Sequence, residues 1–592
     1  MAFLLFPAFL LGSACNFSGS GGSGTSPSAS QPTCPSVPIS PQLSSHMIPS
    51  SSFASASIST AGDDLGAVDD AQDFPITLAL ALNYEDELSQ VLADLYRPGS
   101  PTYHRFLSAS EFRARYAPTD DQIAKTKAAL ETAGFRAVTS DENHLLIHAT
   151  GSAVVISQVL QTELHQYIAV DGSITRAPAY EIQIPDELGV RAVHGLQSFT
   201  KLKSHAELPS ETPASTSSTF SGPNGGLSPS DVRTAYNIQS LTSAGVDGSG
   251  QILGLFELDG YNPSDISAYE SYFKIPQITL QNILVDGASG SAGSGADEVT
   301  LDIELMTAVA PGAAKIIVYE GPNSEQGVLD TYNRIASDNI AKSISTSWGE
   351  NESQSGPSFM QTENTIFMQM AAQGQTMFAA SGDSGAIASG KTLGVGDPAS
   401  QPYVTGVGGT QLFMSGGAYN HETTWNSGSA SGGAGGGGIS SVWSQPTWQS
   451  GSTGAQTLGS SAMRNVPDVA LHANSNRGYS IYTKGSWTIY GGTSCAAPIW
   501  AAFTALVNQE RAVNGLGTLG FANPLIYQIG ESVRYGADFF DIKDGSTNLY
   551  YPAVTGRDDA TGWGSFNAAN LLSDLAVEPQ AVVIPPAQSC PT

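Results

Sequence analysis

Apolar positions follow one rhythm in the first third of the chain and another in the remainder. Phe74 to Leu80 is a short apolar run that reads as a strand, and Leu88, Val91, Leu92 and Leu95 then recur at helical spacing over Tyr84 to Tyr96. Ser108 to Tyr116 follows, and Thr119-Asp120-Asp121 opens a helix over Gln122 to Thr132 that Gly134 stops. Leu145 to His148 reads as a strand, and Val154 to Tyr167 as a further helix. Strands and helices mixed in this way predict a small α+β domain of ferredoxin-like type. From Leu227 to about Ala576 the pattern changes to continuous apolar strands, Ile252 to Phe256, Ala314 to Tyr319 and Thr376 to Ala380. Turn residues bound each one and helical stretches separate them, the mark of a parallel sheet buried on both faces in an α/β domain.

The stretches without periodicity divide the chain. Met1 to Cys15 is apolar, too short for a membrane span, and reads as a signal peptide. The small residues before Cys15 also resemble a lipoprotein cleavage site, so secretion and lipid anchoring at the cell surface both stay open. Residues 16–71 are rich in Ser, Gly and Pro and read as a flexible tether. Residues 72–200 form the α+β domain, 201–226 an exposed linker suited to cleavage, and 227–592 the large domain.

Composition narrows the function. Charged residues make up 13% of the chain and the net charge is −29. A surface poor in Lys and Arg argues against nucleic acid and against a polybasic membrane contact. Such a surface loses most of its charge on acidification, which suits an acidic environment. The four cysteines (15, 34, 495 and 590) have no metal-binding spacing. Cys495 is expected to be a buried free thiol, and pairing of Cys34 with Cys590 is left open.

The candidate chemistry centres on Gly491-Gly492-Thr493-Ser494-Cys495-Ala496-Ala497-Pro498. Ser494 stands where a loop enters an apolar helix, whose free N–H groups and dipole favour developing negative charge. Taken alone, the serine could equally be a helix cap. A serine nucleophile needs a base, and the two histidines of this region, His421 and His472, read as loop or surface residues. Carboxylates remain. Glu298 and Asp302, at i and i+4 of an apolar helix, fall on one face and can share a proton. Asp383 follows the strand Thr376 to Ala380, at the end of the sheet where open α/β folds carry their sites, although an Asx-turn would also explain it.

Residues 72 to 575 resemble the sedolisins, or serine-carboxyl peptidases. The resemblance runs through Ser100-Pro101-Thr102-Tyr103-His104-Arg105-Phe106-Leu107, Ser345-Thr346-Ser347-Trp348-Gly349, Asp397 to Thr410 and Glu422-Thr423-Thr424-Trp425-Asn426. It implies a subtilisin-like domain preceded by an activation prodomain. It further implies Ser494 as nucleophile, Glu298 as general base and acid, Asp302 as the residue orienting Glu298, and Asp383 as the oxyanion aspartate. It implies one Ca²⁺ held by Asp541 and Asp558 carboxylates and by the carbonyls of Ile542, Val554 and Gly556. Val554 stands where Gly is common in the family, and Arg557 where Trp is common.

The resulting expectation is a secreted, acid-acting endopeptidase, monomeric, made as a self-activating proenzyme. Its substrates would be proteins and peptides, and its prodomain would cover the cleft as an intramolecular inhibitor. A tripeptidyl exopeptidase of the same chemistry, a catalytically inactive cell-surface binding protein and a neutral hydrolase using His421 or His472 are the alternatives.

Overall fold

The computed structural model describes residues 47–49, 63–169, 172–198, 201–209, 220–389, 392–452 and 457–578. The expected signal peptide, most of the tether, residues 210–219 of the linker and three of the cysteines lie outside the described residues.

In the N-terminal domain, strand β1 (Asp73–Leu80) turns Phe74, Ile76, Leu78 and Leu80 into the domain's own core, while Ala79 faces the other way. It pairs antiparallel with β3 (Leu146–Ser152) and β4 (Val190–His194), and β2 (Arg136–Ser140) pairs with β3. The order β2-β3-β1-β4 is ferredoxin-like. Helices α1 (Glu85–Leu95), α2 (Ala109–Tyr116) and α3 (Asp120–Thr132) connect β1 to β2, and α4 (Ala153–Leu160) lies between β3 and β4. Ser108 and Thr119 start α2 and α3 with complete capping boxes, which fixes both helix starts locally. The helix expected over Val154 to Tyr167 ends early: Gln161 adopts the left-handed conformation, and Leu164–Ile168 forms a strand instead. Leu164 and Tyr167 of that strand are buried three residues apart, a spacing that reads as a helix and does not reveal the strand.

The large domain is built on a sheet of eight strands. A short strand β5 (Lys203–Ser204) leads into it. The core strands are β6 (Ile252–Glu257), β7 (Leu280–Leu284), β8 (Lys315–Glu320), β9 (Ser343–Thr346), β11 (Thr376–Ala380) and β12 (Thr405–Ser415). They run parallel in the order β7-β8-β6-β9-β11-β12. The sheet continues from β12 with β14 (Val469–His472), again parallel, and with β13 (Ala418–Thr424), antiparallel. Strand β10 (Trp348–Asn351) leaves β9 beyond Ser347 and lies outside the sheet, against β5. Helices α5 (Ala296–Val309) and α8 (Thr493–Val513) pack together on one face of the sheet, and α6 (Glu325–Asp338) and α7 (Pro357–Ala372) on the other.

The α+β domain rests on α6 and α7. Leu88, Leu92, Leu95, Phe112 and Tyr116 join Tyr332, Ile366 and Phe367 in one apolar cluster. Tyr96 donates to the Ala371 carbonyl at 2.6 Å and Asn143 to Gln369 at 2.8 Å. The body of the α+β domain therefore grips the side of the large domain, whereas the sequence suggested that it would cover the cleft. Among the described residues the linker strand is what crosses the site, and there it is not freely exposed: Ser204 to Glu207 are half-buried.

Candidate active site

Helix α8 begins at Thr493 after Gly492, whose φ of 99° favours glycine. Pro498, four residues after Ser494, has no N–H to give the Ser494 carbonyl. The Ser347 hydroxyl lies 3.4 Å from that oxygen and also 2.9 Å from Asp302 Oδ1. Ser494 is buried, and its Oγ donates to Glu298 Oε2 at 2.9 Å, joining residues 196 positions apart.

Glu298 and Asp302 do share one face of α5, and both are buried. A third carboxyl stands beside them that the sequence did not single out. Glu257, at the C-terminal end of β6, accepts from Trp348 Nε1 at 2.8 Å and hydrogen-bonds Asp302. Burial raises the pKa of all three, and mutual repulsion adds to the rise at Asp302 and Glu257. Hydroxyls from Ser204 and Ser494 oppose the rise at Glu298. Glu257 Oε1, Glu298 Oε1 and Asp302 Oδ2 have no donor among the described residues, and no Lys or Arg pairs with the group. A proton shared between the hydrogen-bonded Glu257 and Asp302 satisfies one oxygen of each, and repulsion from Glu298 couples its titration to theirs. The signal for Glu257 in the sequence was a lone acid closing an apolar strand at the sheet's C-terminal edge.

Asp383 lies across from Ser494 and is not the Asx-turn considered as its alternative. Its Oδ1 accepts from Thr493 N–H and Thr493 Oγ1, both at 2.8 Å and 110 residues away in sequence. Its Oδ2 has no donor among the described residues, and burial raises this carboxyl well above the usual range. A Cβ at position 492 would fall 1.9 Å from the His205 carbonyl oxygen and 2.6 Å from Asp383 Oδ2, so both oxygens crowd onto the space that glycine leaves.

The linker reaches this point as a strand. Lys203 and Ser204 pair antiparallel with Gly349 and Trp348, and His205 N–H donates to the Ser347 carbonyl at 3.2 Å. Past the serine, Glu207 exchanges two backbone hydrogen bonds with Gly491, at 3.0 and 2.8 Å. Ser204 Oγ donates to Glu298 Oε2 at 2.5 Å.

Both histidines weighed as bases are otherwise employed. His421 is exposed on β13. His472 is a buried strand residue, not the loop or surface residue expected: its Nδ1 accepts from Leu412 N–H and its Nε2 donates to the Arg477 carbonyl, both at 3.0 Å. Cys495 is a buried free thiol.

Residues 61–199 match the pro-kumamolisin activation domain family, and residues 287–516 the subtilase family. The chain is 32% identical to kumamolisin from Bacillus sp. (strain MN-32), over 86% of this chain and 93% of that protein. The chain belongs to the sedolisin family. It is a serine-type peptidase made with an activation domain on a subtilisin-like fold. The sedolisin of Pseudomonas sp. (strain 101) is 31% identical over 84% of this chain and 86% of its own. A solved structure, Pseudomonas sedolisin (serine-carboxyl proteinase) complexed with two molecules of pseudo-iodotyrostatin, superposes with a TM-score of 0.53, covering 59% of this chain and 97% of that one. Tripeptidyl-peptidase 1 from Rattus norvegicus is 27% identical over 86% of this chain and 93% of its own length.

The residues implied as calcium ligands sit on one loop system near the C-terminus of this sedolisin-family peptidase. Asp541 Oδ1 accepts from Tyr535 OH at 2.8 Å and Gly556 N–H at 3.2 Å, and Asp558 Oδ2 accepts from Val554 N–H at 2.8 Å. Asp558 is buried and makes no ion pair, and Ile542 is buried beside Asp541. Lys543 Nζ reaches Asp541 Oδ2 at 3.2 Å from an exposed position. The hydrogen bonds gather Asp541 and Asp558 with the backbone of Val554 and Gly556 on one loop system, and carboxylates with backbone carbonyls are the hard oxygen donors that suit Ca²⁺.

Proposed function

We propose that this chain is an exported, acid-acting serine-carboxyl endopeptidase that cuts itself out of its own proenzyme. The hydrogen bond from Ser494 Oγ to Glu298 Oε2, with a linker strand laid over it in extended form, carries this reading. Ser494 Oγ attacks the carbonyl carbon while Glu298 takes the hydroxyl proton. The Oδ2 of Asp383, kept protonated by burial, donates to the oxyanion together with N–H groups at the start of α8. Glu298 then returns the proton to the leaving amine, and water releases the acyl group by the same path in reverse. Asp302, Glu257 and Trp348 orient Glu298 and share its proton.

Registry supports one scissile bond. His205 sits where its N–H meets Ser347 and its carbonyl meets the space beside Asp383, so His205–Ala206 is the bond offered to Ser494. The covering strand also desolvates Glu298. Hydrogen bonds from Ser204, Ser494 and the N–H groups of His205 and Ala206 oppose the resulting rise in its pKa, so Glu298 serves as the base while Asp383 keeps its proton, and loss of the strand lowers the base further for later turnovers. Activity then falls at low pH as Glu298 protonates and at high pH as Asp383 ionises.

The test is to acidify the purified full chain and read the new N-terminus by mass spectrometry. Ala206 is expected first, in wild type and not in Ser494→Ala. Equal maturation of Ser494→Ala with no other protease present defeats self-processing, and a rate maximum in the alkaline range defeats the carboxyl mechanism. Export through Met1 to Cys15 is tested by cell fractionation, with lipid labelling to separate anchored from free protein. Asp541, Asp558 and the carbonyls of Ile542, Val554 and Gly556 would hold one Ca²⁺, which would tie the loops together and take no part in bond cleavage. Chelation should lower the melting temperature and Ca²⁺ restore it; at an ion concentration 100 times Kd the linkage is about 2.7 kcal/mol.

A further inference from the structure

The linker strand shows more than the bond to be cut, because one of its side chains is read by a buried acid outside the catalytic group. Lys203 is the third residue on the N-terminal side of the His205–Ala206 bond. Its Nζ lies 2.9 Å from Glu350 Oε2. The lysine side chain is 68% exposed, whereas that of Glu350 is 5% exposed, so the acid belongs to the wall and the cation to the occupant. Glu350 is held in place on β10 by its antiparallel pairing with Asp397. Its Oε1 accepts from Asn351 N–H at 2.9 Å and lies 3.4 Å from Asn351 Nδ2. Oε2 is turned toward Lys203. Both residues line a cavity of about 440 Å³ that also holds His205, Gly382 and Asp383.

When the linker departs, Lys203 goes with it and the wall keeps Glu350. A carboxylate that is nearly buried and has lost the one cation paired with it among the described residues is costly unless something replaces that cation. We propose that Glu350 is a specificity residue of the mature peptidase, selecting peptides with a lysine or arginine side chain three residues before the scissile bond. This rests on the reading of Ser494 and of the His205–Ala206 bond given above. The backbone pairing of Lys203 with Gly349 fixes the register for any substrate bound in extended form, so a cation at the third position, and not at the second or fourth, reaches Glu350. A charge-assisted hydrogen bond contributes about tenfold or more in binding, less where the ammonium keeps much of its water.

Acid-matured enzyme is assayed on quenched-fluorescence peptides blocked at the N-terminus and built on Lys-Ser-His-Ala-Glu-Leu, with Lys, Gln or Glu at the first of these positions. Wild type should prefer Lys over Gln by about tenfold in kcat/KM, with Glu slowest. Glu350→Gln should bring the ratio of kcat/KM for the Lys and Gln peptides to about one, and Glu350→Lys should invert the preference toward Glu. Equal kcat/KM on the three peptides in wild type overturns the proposal and leaves the peptidase reading standing. No cleavage of any of them at His-Ala sinks the reading itself. An unblocked Gln-Ser-His-Ala-Glu-Leu peptide separates the other source of an ammonium group. If only its free α-amine, and not a blocked Lys side chain, gives a Glu350-dependent gain, the proposal falls and tripeptide release takes its place. The wild-type peptide series decides the question even if a Glu350 variant fails to fold.

Discussion

Two of the groups of buried carboxyls in the large domain are set apart by their neighbours. Around Ser494, Glu298, Asp302, Glu257 and Asp383 face hydroxyls, an indole, backbone N–H groups and one another. Behind the sheet, Asp468 and Asp559 face arginines. Arg464 grips Asp468 through two nitrogens, at 2.8 and 2.6 Å, and Arg557 pairs with Asp559, all four side chains fully buried. Burial still raises Asp559, to about 6, but Arg557 and Arg464 both pull it back. A fixed guanidinium makes a carboxylate a structural anchor. Carboxyls with no cation nearby keep protons that can move, which is what acid–base chemistry requires. Burial is common to both groups, so burial alone does not mark a catalytic acid.

The contrast can be broken from either side. Glu298→Gln should leave the fold intact and lower kcat/KM by about 10⁴-fold, because the nucleophile loses its base, as triad deletions do elsewhere. Circular dichroism and peptide hydrolysis on the same sample check both halves. Arg464→Met should do the reverse, destabilising the fold by about 3–5 kcal/mol because Asp468 is left buried without its cation. Urea unfolding of Ser494→Ala protein carrying that change measures it without self-digestion.

Asp383→Asn should cost about 10²–10³-fold in rate. What activity remains should lose its alkaline limb, since an amide donates at every pH, and the pH–rate profile shows whether the limb belonged to Asp383. The last effect concerns stability. Glu257, Glu298, Asp302 and Asp383 all have folded pKa values raised by burial. Each binds its proton more tightly when folded, so its stabilisation is complete below the unfolded value near 4 and is lost as pH rises through the folded value. The loss is at most about 1.4 kcal/mol per pH unit for each group. The melting temperature of Ser494→Ala should therefore fall from pH 4 toward neutrality, and a rise would contradict the protonated cluster.

Much of the fold was legible because it is local. The apolar strands of the large domain appeared within a residue or two of where they lie, and Thr119 announced its helix start. Leu164–Ile168 was misread because a short apolar run has no decisive period until its partners are known. His472 was misread for the opposite reason: its polar side chain suggests surface, yet two specific partners sixty and five residues away satisfy it inside. Glu257 and Glu350 went unremarked because a single acid in a strand carries no pattern.

The chain's own order of residues determined the elements, the glycine before the nucleophile, and the i, i+4 placing of Glu298 and Asp302. Those depend on contacts a few residues apart, which sequence spacing encodes directly. Tertiary structure alone decided that Ser494 meets Glu298, that Asp383 turns a free oxygen toward the His205 carbonyl, and that Lys203 falls beside Glu350. These meetings depend on sheet order and on the exclusion of water. Both arise only when distant segments pack together, and the exclusion of water is what shifts the proton affinities on which the chemistry rests.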